Sequence, residues 1–250
     1  MSNLKKVAFV PARSGSTRIK NKNIKYLGGH PLMAYTIVTA LKSNLFDDIF
    51  CFTDDEEYAD IAQYYGAKVP LLRPKEISGE SSPDINWVNW AIETLEIQNY
   101  KFDVFFILRP TSPFRTTKTL INAWNSFKNE SNIDSLRAVE KCKTHPGKMW
   151  AIQQNRLLPL MPFELNNVPW HSNQNSALPV FYEQNASLEI SWLNTIKNTN
   201  TIAGTNILPF LTNNLEGFDI NTPEDWSIAE YYTSNAIFDS NIFEIKPYKK

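Results

Sequence analysis

The sequence predicts an α/β protein built on a doubly wound, mainly parallel sheet with helices on both faces. Three observations carry this. Short apolar runs with no polar alternation, such as Val7–Val10 and Val104–Leu108, read as strands buried on both faces. Between them lie segments with apolar residues at helical spacing. The two kinds of segment alternate along the first two-thirds of the chain, the rhythm of βαβ units.

Val7–Val10 ends at Pro11 and is the first strand. Gly28-Gly29-His30-Pro31 leads into Leu32, Met33, Ile37, Val38 and Leu41 at helical spacing, with Pro31 suited by its fixed φ to a first turn. Ile49–Phe52 is the next strand, and Glu56–Tyr65 a helix stopped by Gly66. Val69–Leu72 is short and strand-like. Ile85, Val88, Ala91, Ile92 and Leu95 mark a further amphipathic helix, and Val104–Leu108 a central strand. Thr117–Lys128 is expected as a helix, Ser135–Glu140 as extended, and Thr201–Leu208 as a last strand before a final helix opened by Thr222-Pro223-Glu-Asp225. From Pro146 to Pro179 the rhythm dissolves into Trp-, Pro- and Asn-rich sequence, a loop length that in a compact domain is functional or packed on a partner. Residues 1–236 read as one domain with an insertion at about 146–190, and 237–250 as an irregular or loosely held tail.

Bulk properties narrow the function. The chain has 250 residues, 42% of them apolar, enough for a sizeable core. A net charge of −1 gives no reason to expect nucleic acid or an anionic membrane as partner. No apolar run has the length of a membrane span, and MSNLKKVAFVPARSG lacks a signal-peptide core, so a cytoplasmic protein is expected. Cys51 and Cys142 form no paired motif; Cys51 lies in an apolar run and reads as a buried, inert thiol.

In doubly wound sheets ligands bind beyond the carboxyl ends of the strands. The loop after the first strand, Pro11-Ala-Arg-Ser-Gly-Ser-Thr-Arg-Ile-Lys-Asn-Lys-Asn23, stands there. With Lys25 it gathers Arg13, Arg18, Lys20 and Lys22. A Gly/Ser turn can aim several backbone N–H groups at an anion, and flanking cations add charge-assisted bonds. The spacing is neither a P-loop nor a dinucleotide fingerprint. Taken alone, the loop is either an anion site or a solvated basic surface.

The stretch VPARSGSTRIKNKNIKYLGGHPLMAYTI resembles the opening signature of the acylneuraminate cytidylyltransferase (CMP-sialic acid synthetase) family, which includes members acting on legionaminic and pseudaminic acids. Phe52-Thr-Asp-Asp-Glu-Glu57, Leu72-Arg-Pro-Lys-Glu76, Arg109-Pro-Thr-Ser-Pro-Phe-Arg115, His145-Pro-Gly-Lys148 and Phe218-Asp-Ile-Asn221 match further family segments in order, so the resemblance spans residues 5 to about 232. It implies a Rossmann-like nucleotidyltransferase fold with a small dimerisation subdomain. The implied activity is transfer of CMP from CTP to an acidic nine-carbon sugar, with Mg²⁺ as cofactor. A homodimer is implied, with Pro162–Pro179 and Trp170 as its arm.

The resemblance also implies roles for residues. Arg13, Ser14, Gly15, Ser16, Arg18 and Lys22 would hold the CTP phosphates, with Arg13 and Lys22 catalytic. Asn23 would place the nucleotide, and Arg73, Ser82 and Asp84 would form the cytosine and ribose pocket. Arg109, Thr111, Ser112, Lys148, Glu183 and Asn185 would form the acceptor site. Asp219 would be catalytic and hold the metal with Asn221.

Departures stand out. The family's Asp-x-Asp reads Asp219-Ile-Asn221, though i and i+2 of an extended stretch share a face. Thr17 stands where a lysine is usual, and Arg109 where many relatives carry Gln. Glu183 occupies the position of an arginine that grips the sugar carboxylate, and Glu189 that of a tyrosine. Either Arg109 takes over the anion, or the acceptor differs from ordinary sialic acid. A Kdo-like acceptor, another NTP, a nucleotide-binding homologue without catalysis, and an interaction module are the competing expectations.

Overall fold

In the computed structural model, residues 4–235, 237 and 241–249 are described. The chain divides into two compact units, residues 1–138 with 185–250, and residues 139–184.

The larger unit is organised on six strands, β1 Lys6–Pro11, β2 Asp48–Phe52, β3 Val104–Ile107, β4 Ser135–Lys141, β5 Tyr182–Trp192 and β6 Ile207–Leu211. Their order is β6-β4-β5-β3-β1-β2. β1 runs parallel to both β2 and β3, while β5 is antiparallel to β3 with Glu189 opposite Ile107. Six helices accompany them among the described residues: α1 Leu32–Lys42, α2 Glu56–Tyr64, α3 Asp84–Ile97, α4 Thr117–Asn129, α5 Leu193–Thr199 and α6 Pro223–Ser234.

The alternation of side chains along each strand divides the core in two. Ala8, Val10, Cys51, Phe106 and Leu188 face a cluster completed by α1, α2, α4 and α6. Val7, Phe9, Phe50, Phe52, Phe105 and Ile107 face the opposite cluster, covered by Trp87, Val88 and Leu95 of α3 and Ile196 of α5. Phe9 stacks on Phe105 at 5.3 Å and meets Phe52 edge-on at 5.0 Å. Each ring so buried contributes about 2–3 kcal/mol. Strands covered on both faces are what the unbroken apolar runs anticipate. Cys51 is fully buried, and burial pushes its thiol far above the usual range, so it is inert.

Two expected strands are corrected. Val69–Leu72 forms none; one bridge, Phe50 to Lys68, is all that pairs there among the described residues, and Pro70 and Pro74 withhold ladder donors. The strand expected at Thr201–Leu208 lies at Ile207–Leu211, because Gly204 turns the chain at φ 67° first. The helix start at Thr222 is as expected: its hydroxyl accepts from Asp225 N, with Pro223 in the first turn.

The tail expected at 237–250 lies partly outside the described residues, at 238–240 and 250. Its described part is irregular but tied down. Ile242 is buried, Tyr248 N donates to the Tyr65 hydroxyl (3.1 Å), and Tyr26 donates to Tyr248 O. The Tyr65 hydroxyl also shares a hydrogen bond with His30 Nδ1, 2.9 Å away. Burial lowers His30 below its ordinary 6.5. The folded protein holds His30 neutral, whereas the unfolded chain takes up a proton as pH falls through 6.5. Stability is therefore expected to fall below that pH by up to about 1.4 kcal/mol per unit. Urea titrations of wild type and His30→Gln on either side of it should show the slope in the first alone.

Residues 139–184 carry two small antiparallel hairpins, Trp150–Gln153 with Arg156–Pro159 and Glu164–Leu165 with Val168–Pro169. Trp170 meets His145, Phe163 and Phe181 edge-on. Ile152, Leu157, Leu160 and Phe163 are at least half exposed. No helix among the described residues is long and apolar enough to cross a membrane.

Candidate functional site

The parallel strands end together, and backbone bonds hold their loops in register. Ala12 N donates to Phe52 O, Leu108 N to Phe9 O, and Arg73 N to Thr53 O at 2.7–3.0 Å. A cleft of about 360 Å³ opens at this edge, within the larger unit.

One end of the cleft is basic. Arg13, Ser16, Arg18, Lys22 and Asn23 line it. Asn21 takes a left-handed conformation (φ 53°), which asparagine tolerates, and starts a short 3₁₀ turn at Lys22–Ile24. Asn23 is buried, and its amide donates to Arg13 O at 3.0 Å, closing the loop on itself. Lys22 Nζ donates to Ile220 O at 2.7 Å. Burial lowers Lys22 below its ordinary range; Asp219 raises it, and Arg18 and Arg13 lower it again. Cations gathered against burial and one another lose that penalty when an anion arrives. Ser14 and Gly15 do not line the cleft. Ser14 spends both its N–H and its hydroxyl on Asp54, at 2.8 and 2.9 Å. Thr17 donates to Glu80, a cleft-lining carboxylate that no sequence motif marks. Lys25 lies over the Trp226 ring at 4.0 Å, so the five loop cations do not act as one group.

Arg73, Ser82 and Asp84 line the next section, joined by Trp87. Trp87 stands on α3 outside every sequence motif, with nothing local to distinguish it from a core residue. It is 1% exposed, its indole N–H donates to Asp84 Oδ1 (2.8 Å), and the Arg73 guanidinium lies 5.6 Å from its ring. Arg73 also donates to Ile77 O. Burial lowers Arg73 to about 10, with Asp54 and Asp84 acting the other way.

Arg109 and Thr111 form the third section. Arg109 Nη2 contacts Asp84 Oδ2 at 2.6 Å and Glu189 Oε1 at 3.0 Å. Burial acts to raise Asp84, but the guanidinium outweighs it and the carboxyl is held low. Glu189, at the position of a tyrosine in relatives, is turned away from the cleft. It is 4% exposed, outside the cleft lining, and paired with both Arg109 and Arg137. Ser112 is buried beside the cleft with its hydroxyl unpartnered. Asn185 turns away to Thr212 Oγ1 (2.8 Å), although its neighbour Ala186 lines the cleft. Lys148 and Glu183 belong to the 139–184 unit. There Lys148 donates to the carbonyls of His171 and Asn173, and Glu183 accepts from Lys143 N.

Asp219 and Asn221 face the basic loop, while Ile220 between them is fully buried. Ile220 N donates to Thr111 O at 2.8 Å, locking this segment to the loop after β3. Asn221 Nδ2 donates to Asp219 Oδ2, and Arg18 donates to Asn221 Oδ1 at 3.4 Å. Asp219 Oδ1 is buried without a hydrogen-bond partner. An orphaned carboxylate oxygen, an amide carbonyl and room for phosphate suit a cation such as Mg²⁺, which is held by one or two carboxylates, water and phosphates. The described residues contain no cluster of three or more His, Cys, Asp or Glu of the kind that holds a metal by itself. Beneath lies Arg115, 1% exposed, donating to Thr36 Oγ1 and Arg109 O at 2.8 and 2.9 Å. It follows Pro113 and Phe114 in the chain, where no local pattern marks an arginine for burial.

A basic cleft at the carboxyl edge of a doubly wound sheet is the place where such folds take a phosphate-bearing ligand. The protein belongs to the cytidylyltransferase family, whose profile matches residues 7–148. It is 32% identical over 225 residues to the CMP-N,N'-diacetyllegionaminic acid synthase of Legionella pneumophila, covering 90% of this chain and 94% of that one. It is 40% identical over 124 residues to the pseudaminic acid cytidylyltransferase of Campylobacter jejuni, spanning 50% of this chain and 53% of that one. Among solved structures, CMP:2-keto-3-deoxy-manno-octonic acid synthetase complexed with CTP shares the fold, with a TM-score of 0.69 at 14% identity, over 93% of this chain and 99% of that one.

Proposed function

We propose that the protein transfers the cytidylyl group of CTP to a hydroxyl of an acidic nine-carbon, sialic acid-like sugar, releasing pyrophosphate. The observation that carries this reading is one cleft with three kinds of lining. Arg13, Arg18 and Lys22 suit a triphosphate, Arg73 beside Trp87 suits a base and ribose, and Arg109 suits an acidic acceptor.

The acceptor oxygen attacks the α-phosphorus in line as the bond to pyrophosphate breaks. Arg13 and Lys22 neutralise charge that develops on the phosphate oxygens, and the Asn23–Arg13 bond holds the loop ready beforehand. Asp219 and Asn221 would hold Mg²⁺, which when bound supplies charge neutralisation and a more acidic attacking hydroxyl. The Thr111–Ile220 bond fixes the acceptor loop against the Asp219 loop and sets the approach.

The reading includes a cytoplasmic enzyme and a homodimer. The half-exposed apolar side chains Ile152, Leu157, Leu160 and Phe163 support the dimer, which light scattering tests. The reaction is tested by pyrophosphate release in Mg²⁺ with each of the common NTPs over a panel of sugar acids. Release with CTP and a nine-carbon acid is expected. Release with another NTP instead, or none with any nine-carbon acid, overturns the reading.

A further inference from the structure

Glu189 is the most deeply buried carboxylate beside the cleft among the described residues, and the reaction outlined above gives it no task. It sits on β5 opposite Ile107, at the end of β3 from which Arg109 departs. One of its oxygens contacts Arg109 at 3.0 Å and the other pairs with Arg137 on β4. The three side chains are 27%, 5% and 17% exposed for Arg109, Glu189 and Arg137. A lone charge so buried is heavily penalised, so each member depends on the others for its charged state and its place.

We infer that Glu189 and Arg137 are positioning residues that aim Arg109 as the receptor for the acceptor's carboxylate, and so determine the choice of an acidic acceptor; this rests on the transfer reaction proposed above.

The free donors favour it. With Asp84 counted, two carboxylates balance the two guanidinium groups, so an anion is drawn here by the N–H donors that Arg109 has left over and not by excess charge. Arg109 is the member of the trio that lines the cleft. Both of its ion pairs use Nη2, leaving the Nε and Nη1 hydrogens for a ligand. Asp84 shares Nη2 and also receives the Trp87 indole, so the same guanidinium abuts the section lined by Arg73 and Trp87. Arg137 does not line the cleft and pairs with Glu189, so it is a counter-charge to that carboxylate and not a ligand donor. An acid that stands where relatives carry a tyrosine becomes the strut that orients the carboxylate's receptor.

The experiment compares a nine-carbon sugar acid with its C1 carboxamide. N-acetylneuraminic, N,N'-diacetyllegionaminic and pseudaminic acids are screened with CTP, and the best is used with its amide. Wild type should favour the acid. Glu189→Gln keeps the shape and removes the charge. It should raise the acceptor KM by at least about 10-fold and shrink the acid-to-amide preference, with the CTP dissociation constant within about twofold of wild type. Arg137→Met should do the same, and the double variant should be no worse than either single one. A merely structural role would move CTP binding together with the acceptor KM and leave the preference intact. An unchanged preference in Glu189→Gln, or equal use of acid and amide by wild type, overturns the inference while the transfer reaction stands. Wild type silent with every acid overturns both.

Discussion

Replacing Asp219 by alanine is expected to lower kcat by at least about 100-fold, close to 3 kcal/mol of transition-state stabilisation. Its two oxygens have different tasks. Oδ2 receives the Asn221 amide and fixes the facing pair, while Oδ1 is buried with no partner. A buried carboxylate oxygen left unpaired costs about 1–3 kcal/mol, and a site retains that only where something else satisfies it. Asp219 also acts to raise Lys22 against burial and against Arg18 and Arg13. Its loss therefore removes the proposed cation's carboxylate and weakens the charge on the neighbouring lysine. Asp219→Asn separates charge from shape, since it keeps the size and hydrogen-bonding reach. It should fall nearly as far as alanine. Single-turnover measurements at saturating CTP, with calorimetric CTP binding alongside, provide the check. Turnover within about threefold of wild type in Asp219→Ala would remove the metal role.

The legible parts of this protein are those where one local pattern fixes one outcome. β1, β2 and β3 announce themselves because a strand buried on both faces needs an unbroken apolar run. The start of α6 is legible because a capping box is local. The basic loop is legible as chemistry, and Lys22 does meet the Asp219 segment from the far end of the chain. β5 is not legible. Its first residues, Tyr182–Gln184, are exposed, and further along Ser187, Glu189 and Ser191 are polar yet buried. No hydrophobic pattern marks such a strand, because what satisfies Glu189 is a pair of arginines, Arg109 and Arg137, far off in the chain. Ser14 misleads in the opposite way: a serine in a phosphate-like turn is committed to Asp54. In each case a polar residue's role depends on a distant partner, which no local window contains.

The largest effect on stability is expected at Arg115, a residue to which no sequence pattern assigns a role. Arg115→Ala should cost about 3–5 kcal/mol of unfolding free energy, read from urea denaturation at unchanged m-value. The side chain is 1% exposed in the core beneath the cleft. Burial lowers its pKa to about 9, with Asp219 supporting the charge. Even so, a guanidinium there stays protonated, and its desolvation is a real cost, the more so because Nε and Nη1 have no hydrogen-bond partner. What offsets that cost is what it joins: the Arg109 carbonyl in the loop after β3 and Thr36 of α1, both through Nη2. Alanine leaves a cavity, takes the shortest bond from the Arg109 carbonyl and leaves Asp219 without its buried counter-charge. Arg115→Lys keeps the charge and much of the stem but supplies one nitrogen in place of a fork, so about half the loss should return. The Arg109 carbonyl belongs to a residue that lines the cleft and is proposed to meet the acceptor, so the same variants should also raise the acceptor KM. A loss below about 1 kcal/mol in Arg115→Ala would mean that desolvation cancels everything the guanidinium contributes, and that the loop after β3 is held by the Thr111–Ile220 bond instead.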